Sequence, residues 1–174
     1  DSACSMVDVT IGYNIELLVD VIEDNADVNE LITIELLIDT DVDVYDITTK
    51  IIDIPEAFNI INIDEGYLLP NGWICNATDS GQVNCNSNAP PLGGLPLNDS
   101  GVFAIVYAEI NNTIPAGIVD VEIGSSSVSN LDNELYINSY SSDSFEVYPG
   151  FLPAPMNLVA ESGYDGEVPL SWQA

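Results

Sequence analysis

The chain has 174 residues, with 29 acidic side chains against a single basic one, Lys50, no histidine, and a formal net charge of −28. Nucleic acid is excluded as a ligand, because phosphate binding needs Lys or Arg in place of the released counterions, and anionic membrane surfaces are disfavoured for the same reason. Hydrophobic residues make up 47% of the chain, which is enough for a real core, and the length predicts one domain with at most a fragment of a second.

The first residues show no signal-peptide pattern. A start at Asp1 without an initiator Met is what processed material or an excised segment shows. Residues 1–5, which include Cys4, read as a leader. From residue 6 the pattern is β. Val7, Val9 and Ile11 alternate with Asp8 and Thr10, and period-two alternation of β-branched residues is the signature of a half-buried strand. Asp24-Asn25-Ala26-Asp27 reads as a turn. Ile32, Ile34, Leu36 and Ile38 then alternate with Thr33 and Glu35 in a second strand, and a strand from Asp46 to Ile54 closes at Pro55, which cannot donate to a ladder. Val102 to Ile110 is more continuously apolar, as a central strand buried on both faces would be. Asn88–Gly94 and Pro115-Ala116-Gly117 are loop and turn. Val119, Val121 and Ile123 give another alternating strand, and Ser139 to Ser144 reads as a turn. Eight or nine short strands between residues 6 and 149 predict an all-β sandwich, with residues 6–150 as the domain. No apolar run approaches the roughly 18 residues of a membrane-spanning helix, so no membrane insertion is expected.

Three cysteines leave one without a partner inside the chain. Cys75 and Cys85 flank a turn at Thr78–Gly81, and folding about Ser80 sets them opposite each other, where the Cβ atoms are close enough for a disulfide. Such a bridge would stabilise by about 2–3 kcal/mol; two buried free thiols are the alternative. Trp73 shares the strand face of Cys75. Cys4 is then the odd thiol, free to reach a neighbouring chain. Asn76, Asn98 and Asn111 begin glycosylation sequons.

Self-repulsion at −28 calls for an offset. Asp39, Asp41 and Asp43 form an Asp-x-Asp-x-Asp run, and further acidic groups sit at Asp24 and Asp27 (with Asn29 and Glu30) and at Asp132 and Glu134 (with Asn130). Ca²⁺, which takes six to eight oxygens, would relieve that repulsion, although the run lacks the Gly and distal Glu of an EF-hand loop. A solvated acidic face in a salty habitat is the competing reading. Lys50 invites two readings: an ion pair with one of many carboxylates, or an intramolecular isopeptide bond, which needs a buried lysine beside an Asn and an acid. Without His, acid–base chemistry would fall to carboxylates or Lys50. No two of the 29 acids stand out as a glycosidase pair, so no catalytic residue is assigned and no enzyme is expected.

Residues from about 26 to 148 resemble the conserved repeat domain of bacterial and archaeal surface proteins, an Ig-like family found in tandem in exported proteins. The resemblance rests on Leu31 to Asp39, on Asp43 to Pro55, on the hairpin Leu69-Pro-Asn-Gly-Trp-Ile-Cys75 followed by Val83-Asn-Cys85, and on the turn Asn130-Leu-Asp-Asn-Glu. The same strand pattern is similar to cohesins, the sandwich modules that bind dockerins. Residues 151–174 resemble the start of a fibronectin type III domain, through Pro155, Leu158 and Ala160 and then Val168, Leu170 and Trp172. Two strands cannot bury their own apolar faces, so this tail is expected to find a partner, for instance as a strand donated to the next copy.

Two functions follow as expectations for an extracellular or cell-surface protein. The first is a structural subunit or repeat of a surface filament or adhesin, a homo-oligomer or polymer built through head-to-tail strand pairing. The alternative is a module that binds a glycan or a protein, cohesin-like or carbohydrate-binding. For a glycan, Tyr13, Tyr45, Tyr67, Tyr136 and Tyr140 are the candidate stacking residues, since sugar rings offer apolar faces to aromatics.

Overall fold

In the computed structural model the described residues are 12–87 and 97–148, together with the backbones of two further strands at 156–160 and 170–173. Cys4, the expected strand at Val7–Ile11, the Asn88–Gly94 loop and Val168 lie outside them. The strands are β1 (Ile15–Val21), β2 (Asn25–Asp27), β3 (Leu31–Thr40), β4 (Asp46–Ile54), β5 (Phe58–Glu65), β6 (Trp73–Ala77), β7 (Gln82–Ser87), β8 (Ser100–Ile110), β9 (Gly117–Ile123), β10 (Ser127–Ser129), β11 (Glu134–Leu135), β12 (Ser139–Tyr140), β13 (Ser142–Tyr148), β14 (Met156–Ala160) and β15 (Leu170–Gln173). The first sheet runs β12-β1-β3-β8-β5. In the second, β4 is flanked on one side by β7, which carries β6. On its other side β9 and β10 lie end to end; β13 and then β2 continue outward from β9.

The alternation seen in the sequence becomes the two-layer core. Ile15, Leu17, Val19 and Val21 of β1 and Ile32, Ile34, Leu36 and Ile38 of β3 are buried, and they meet Ile47 and Ile51 of β4, Val119 and Val121 of β9, and Phe145 and Val147 of β13. The Phe58 and Phe145 rings, one from each sheet, lie 6.4 Å apart at a tilt of 37°. Successive side chains of a strand face opposite ways, so a strand carrying apolar residues at alternate positions is stable only when one face is covered.

Four expectations are corrected. Among the described residues between Ile15 and Tyr148 there are thirteen strands, not eight or nine. Asp24–Asp27 is not a turn: Asn25–Asp27 is β2, which pairs in parallel with β13 and buries Ala26. The reversal comes just after, where Asn29 adopts φ 62° and the Glu30 amide donates to the Asp27 carbonyl (3.1 Å). The stretch Ser139–Ser144 is likewise strand. Residues 139–140 pair in parallel with β1 and residues 142–147 pair with β9, so the chain changes sheets at Ser141. Polar side chains of this stretch, with Asn138 just before it, also serve the β12 side of β1: the amides of Ile15, Val19 and Val21 donate to Asn138 Oδ1 (2.8 Å), Ser141 Oγ (2.9 Å) and Asp143 Oδ2 (2.7 Å). An edge occupied in this way cannot pair with another chain.

The fourth correction concerns β8. It is central, between β3 and β5, but only one of its faces is fully buried. Ala104, Val106, Ala108 and Ile110 face the core, and a bulge opposite Leu36 and Leu37 turns Phe103 inward as well. On the other face Ile105 and Tyr107 are half-buried and Glu109 is exposed. Val102, on that outer face, is covered by residues 66–68: the Leu68 amide donates to its carbonyl (3.0 Å). A Cβ on Gly66 would lie 2.2 Å from the Val102 oxygen, so this crossing requires glycine.

In the tail, β14 pairs with β15 in antiparallel fashion, Ala160 opposite Leu170 and Val159 opposite Ser171, which places Leu170 and Trp172 on one strand of a two-stranded sheet. The side chains of this sheet are outside the described residues.

Candidate docking face

The outer surface of the second sheet is built around β4. Burial alternates along it, with Ile47, Thr49 and Ile51 inward and Asp46, Thr48, Lys50 and Ile52 outward. The ladder fixes what stands beside each. Asp46 is opposite Asn86, Thr48 opposite Asn84, and Lys50 opposite Gln82. One strand further, Ile74 is opposite Asn86 and Asn76 opposite Asn84. On the other flank Ser127 is opposite Thr48 and Ser129 opposite Asp46. A row of Asn76, Asn84, Thr48 and Ser127 therefore crosses the sheet, and a second row runs through Ile74, Asn86, Asp46 and Ser129.

These side chains are hydrogen-bonded to one another. Asn84 Nδ2 donates to Thr48 Oγ1 (2.7 Å), Asn86 Nδ2 donates to Asn84 Oδ1 (2.8 Å), and Thr48 Oγ1 donates to Asp46 Oδ1 (3.4 Å). Burial pushes the Asp46 carboxyl above its ordinary range, and hydrogen bonds with Thr48 and Asn84 act in the opposite direction. Behind the ladder, Thr49 is buried and its hydroxyl meets Ser126 Oγ at 2.7 Å, while Ser126 Oγ also lies 3.1 Å from the Gly124 carbonyl. Thr48, Lys50, Gln82 and Ser125–Ser127 line a depression of about 270 Å³. Ile74 and Ile118 stand exposed at 39% and 68%.

Cys75 and Cys85 are disulfide-bonded, directly opposed across β6 and β7 with Cα atoms 4.1 Å apart. The hairpin folds about Ser80 as its sequence predicts: the Gly81 amide donates to the Thr78 carbonyl (3.0 Å), and Gly81 takes φ 85°. Trp73 is buried on the same strand face as Cys75. The bridge lies on the inner side, so it pins from below the two strands that carry Ile74, Asn76, Asn84 and Asn86 on the outer side.

Lys50 is exposed at the rim of the depression. An isopeptide bond needs a buried lysine, so that reading is set aside. The predicted acidic groups are spread apart. Asp39 is exposed on β3, Asp41 Oδ1 accepts from the Asn14 amide (2.7 Å), and Asp43 Oδ1 accepts from Asn98 Nδ2 (3.4 Å). Asp24 precedes β2 and Asp27 is its last residue; Glu134 is on β11, and the Asp132 amide donates to Asn130 Oδ1 (3.0 Å) in the turn before it. Among the described residues no three Asp, Glu or Cys side chains gather into a group that could hold a metal ion. Asn76 is exposed on β6, the outermost strand of the docking face, Asn98 is exposed, and Asn111 is half-buried, with Oδ1 accepting from Asn59 Nδ2 (2.6 Å). The tyrosines do not form one platform: Tyr67 and Tyr136 are the most exposed, at 77% and 72%, in separate loops, while the Tyr13 hydroxyl accepts from the Tyr136 amide (2.8 Å).

The polar ladder of Thr48, Asn84, Asn86 and Ser127 was not singled out from sequence. Its signal is the alternation Gln82-x-Asn84-x-Asn86 on the second hairpin arm, which puts amides at the outward positions of β7.

The sandwich is similar to solved cohesin modules. A chain from a type I cohesin–dockerin complex of Clostridium thermocellum superposes with a TM-score of 0.64 at 15% identity, covering 79% of this chain and 96% of that one. The cohesin module of a Clostridium perfringens family 33 glycoside hydrolase gives 0.62 at 16%, covering 79% and 99%. A non-cellulosomal cohesin of the archaeon Archaeoglobus fulgidus gives 0.56 at 10%, covering 78% and 91%. No protein-family profile and no curated protein sequence matches the chain. The fold is thus a cohesin-like β-sandwich, and of the resemblances read from sequence it is the cohesin one that the structural comparison supports.

Proposed function

We propose that the sandwich is a non-catalytic protein-docking module of an exported multidomain protein, and that it receives a partner domain on the outer face of β6, β7, β4 and β10. The observation that carries this reading is the correspondence with cohesins over nearly their whole length, 96% and 99% of the two Clostridium chains, one of which was solved in a cohesin–dockerin complex. The choice of face rests on charge. In a chain of −28, a partner that settles on carboxylates must strip their water, which is costly unless each finds a cation. The face around Thr48 and Asn84 offers neutral amides and hydroxyls already held in place by their own hydrogen bonds, with exposed Ile74 as an apolar anchor and Lys50 as its one cation. Preorganised side chains lose little entropy on binding.

The test is calorimetric titration with a panel of dockerin modules, beginning with that of the C. thermocellum complex. A binder is expected among them, and Ile74→Asp or Asn84→Arg should weaken it by about tenfold or more. A binder indifferent to both substitutions, or a panel that fails while a glycan array binds, refutes the reading. The filament reading depends on a tail whose side chains lie outside the described residues, and the occupied edge of β1 offers no template for a donated strand.

A further inference from the structure

The opposite surface, the outer face of β1, β3 and β8, has a different chemistry. Leu18 stands opposite Leu37, both half-buried, so a short apolar row spans β1 and β3 and ends at Val102 of β8, which residues 66–68 cover. One step along the strands Glu16 stands directly opposite Asp39; one step the other way Asp20 stands directly opposite Glu35. Like charges at directly opposed positions destabilise a sheet, and here two such pairs bracket the apolar row. None of the four carboxylates has a hydrogen-bond partner among the described residues. The only basic side chain, Lys50, points outward from the other sheet and cannot neutralise them.

We infer that this face docks an extended segment of a partner protein with the pattern basic–x–apolar–x–basic. Its apolar side chain would lie on Leu18 and Leu37, and each basic side chain would reach between one pair of opposed carboxylates. The spacing follows from strand geometry. Glu16, Leu18 and Asp20 are successive outward positions of β1, so the two acidic pairs lie about 14 Å apart with the leucines midway, and an extended peptide repeats that distance between residues i and i+4. The occupant comes from outside this chain. No segment of these 174 residues offers two basic side chains, and a second copy carries the same −28. This surface is independent of the neutral face on the other sheet, so the module would hold two partners at once.

The experiment is residue-resolved NMR of the full chain titrated with a capped peptide containing Arg-Thr-Leu-Thr-Arg, and with a scrambled Arg-Arg-Leu-Thr-Thr peptide of equal charge. The ordered peptide should shift the amides of residues 16–20 and 35–39, leave β4 and β7 unmoved, bind less tightly at higher salt, and bind about fivefold more tightly than the scrambled one. The fourfold variant Glu16→Gln, Asp20→Asn, Glu35→Gln, Asp39→Asn should melt at a higher temperature than the native chain and bind about tenfold more weakly. Leu37→Ser should remove the preference for the ordered peptide. The inference is overturned if both peptides bind equally, if shifts spread over every acidic surface, if the fourfold variant binds unchanged, or if Ca²⁺ alone moves residues 16–20 and 35–39 as far as the peptide does. None of those outcomes bears on binding at β4 and β7.

Discussion

Removing the Cys75–Cys85 bridge tests how the docking face is held. The bond closes a loop of sequence separation 10 between directly opposed residues of β6 and β7. The chain-entropy relation for a loop of that length gives about 3 kcal/mol of stabilisation at 25 °C. Both sulfurs are in the core, with Cys85 fully buried and Cys75 nearly so, and serine there would add a buried hydroxyl in need of a partner. The Cys75→Ala, Cys85→Ala double variant isolates the crosslink better. Urea unfolding of native and variant chains should differ by about 3 kcal/mol, plus a smaller cost for the cavity. The loss should also be local: amide exchange in residues 73–87 should speed up more than in β3 and β8, because β6 is joined to the second sheet through β7 alone. Equal unfolding midpoints, or uniform acceleration across both sheets, would refute the view that the bridge pins the face.

Asp46→Asn should raise stability at neutral pH. The folded carboxyl titrates above its ordinary value of 3.8, so its contribution is fully present below that value and is lost as pH rises through the folded one; the advantage of the variant should shrink on acidification, and a constant difference from pH 3 to 7, read by denaturant titration, would contradict the assignment. Gly81→Ala should cost about 2 kcal/mol, since φ is 85° and the new Cβ would lie 2.5 Å from the Ile51 carbonyl oxygen; an unchanged melting temperature would refute this. A glycan on Asn76 would stand on the docking face, so a chain glycosylated there should fail to bind a dockerin that the Asn76→Gln chain binds, as surface plasmon resonance would show. Calcium as the offset for the net charge is tested by melting at matched ionic strength: bound Ca²⁺ requires that chelator lower the melting temperature and added Ca²⁺ restore it, whereas equal curves, which the spread of Asp39, Asp41 and Asp43 predicts, leave only screening.

The long strands were legible because one covered face imposes a period of two. Ile32 to Ile38 and Val119 to Val121 read in sequence as they fold, and the Cys75–Cys85 pairing followed from the turn at Ser80. The strands that escaped notice are two or three residues long, as β2, β10, β11 and β12 are, too short for any period to show. Ser139–Ser144 looked like a turn because its hydroxyls suit turns, yet the same groups cap the amides of β1. Both surfaces were hidden for a related reason. Whether Glu16 meets Asp39, or Asn84 meets Thr48, depends on register between strands distant in sequence, and composition carries no trace of it.

The central claim, that a partner domain docks on the amide- and hydroxyl-rich face of β6, β7, β4 and β10, is tested most directly by hydrogen–deuterium exchange of the full chain with and without a bound dockerin module. The account predicts protection in residues 46–52, 74–76, 82–86 and 125–127, with β1 and β3 unchanged. Protection confined to β1, β3 and β8, with β4 and β7 exchanging as in the free chain, would contradict it.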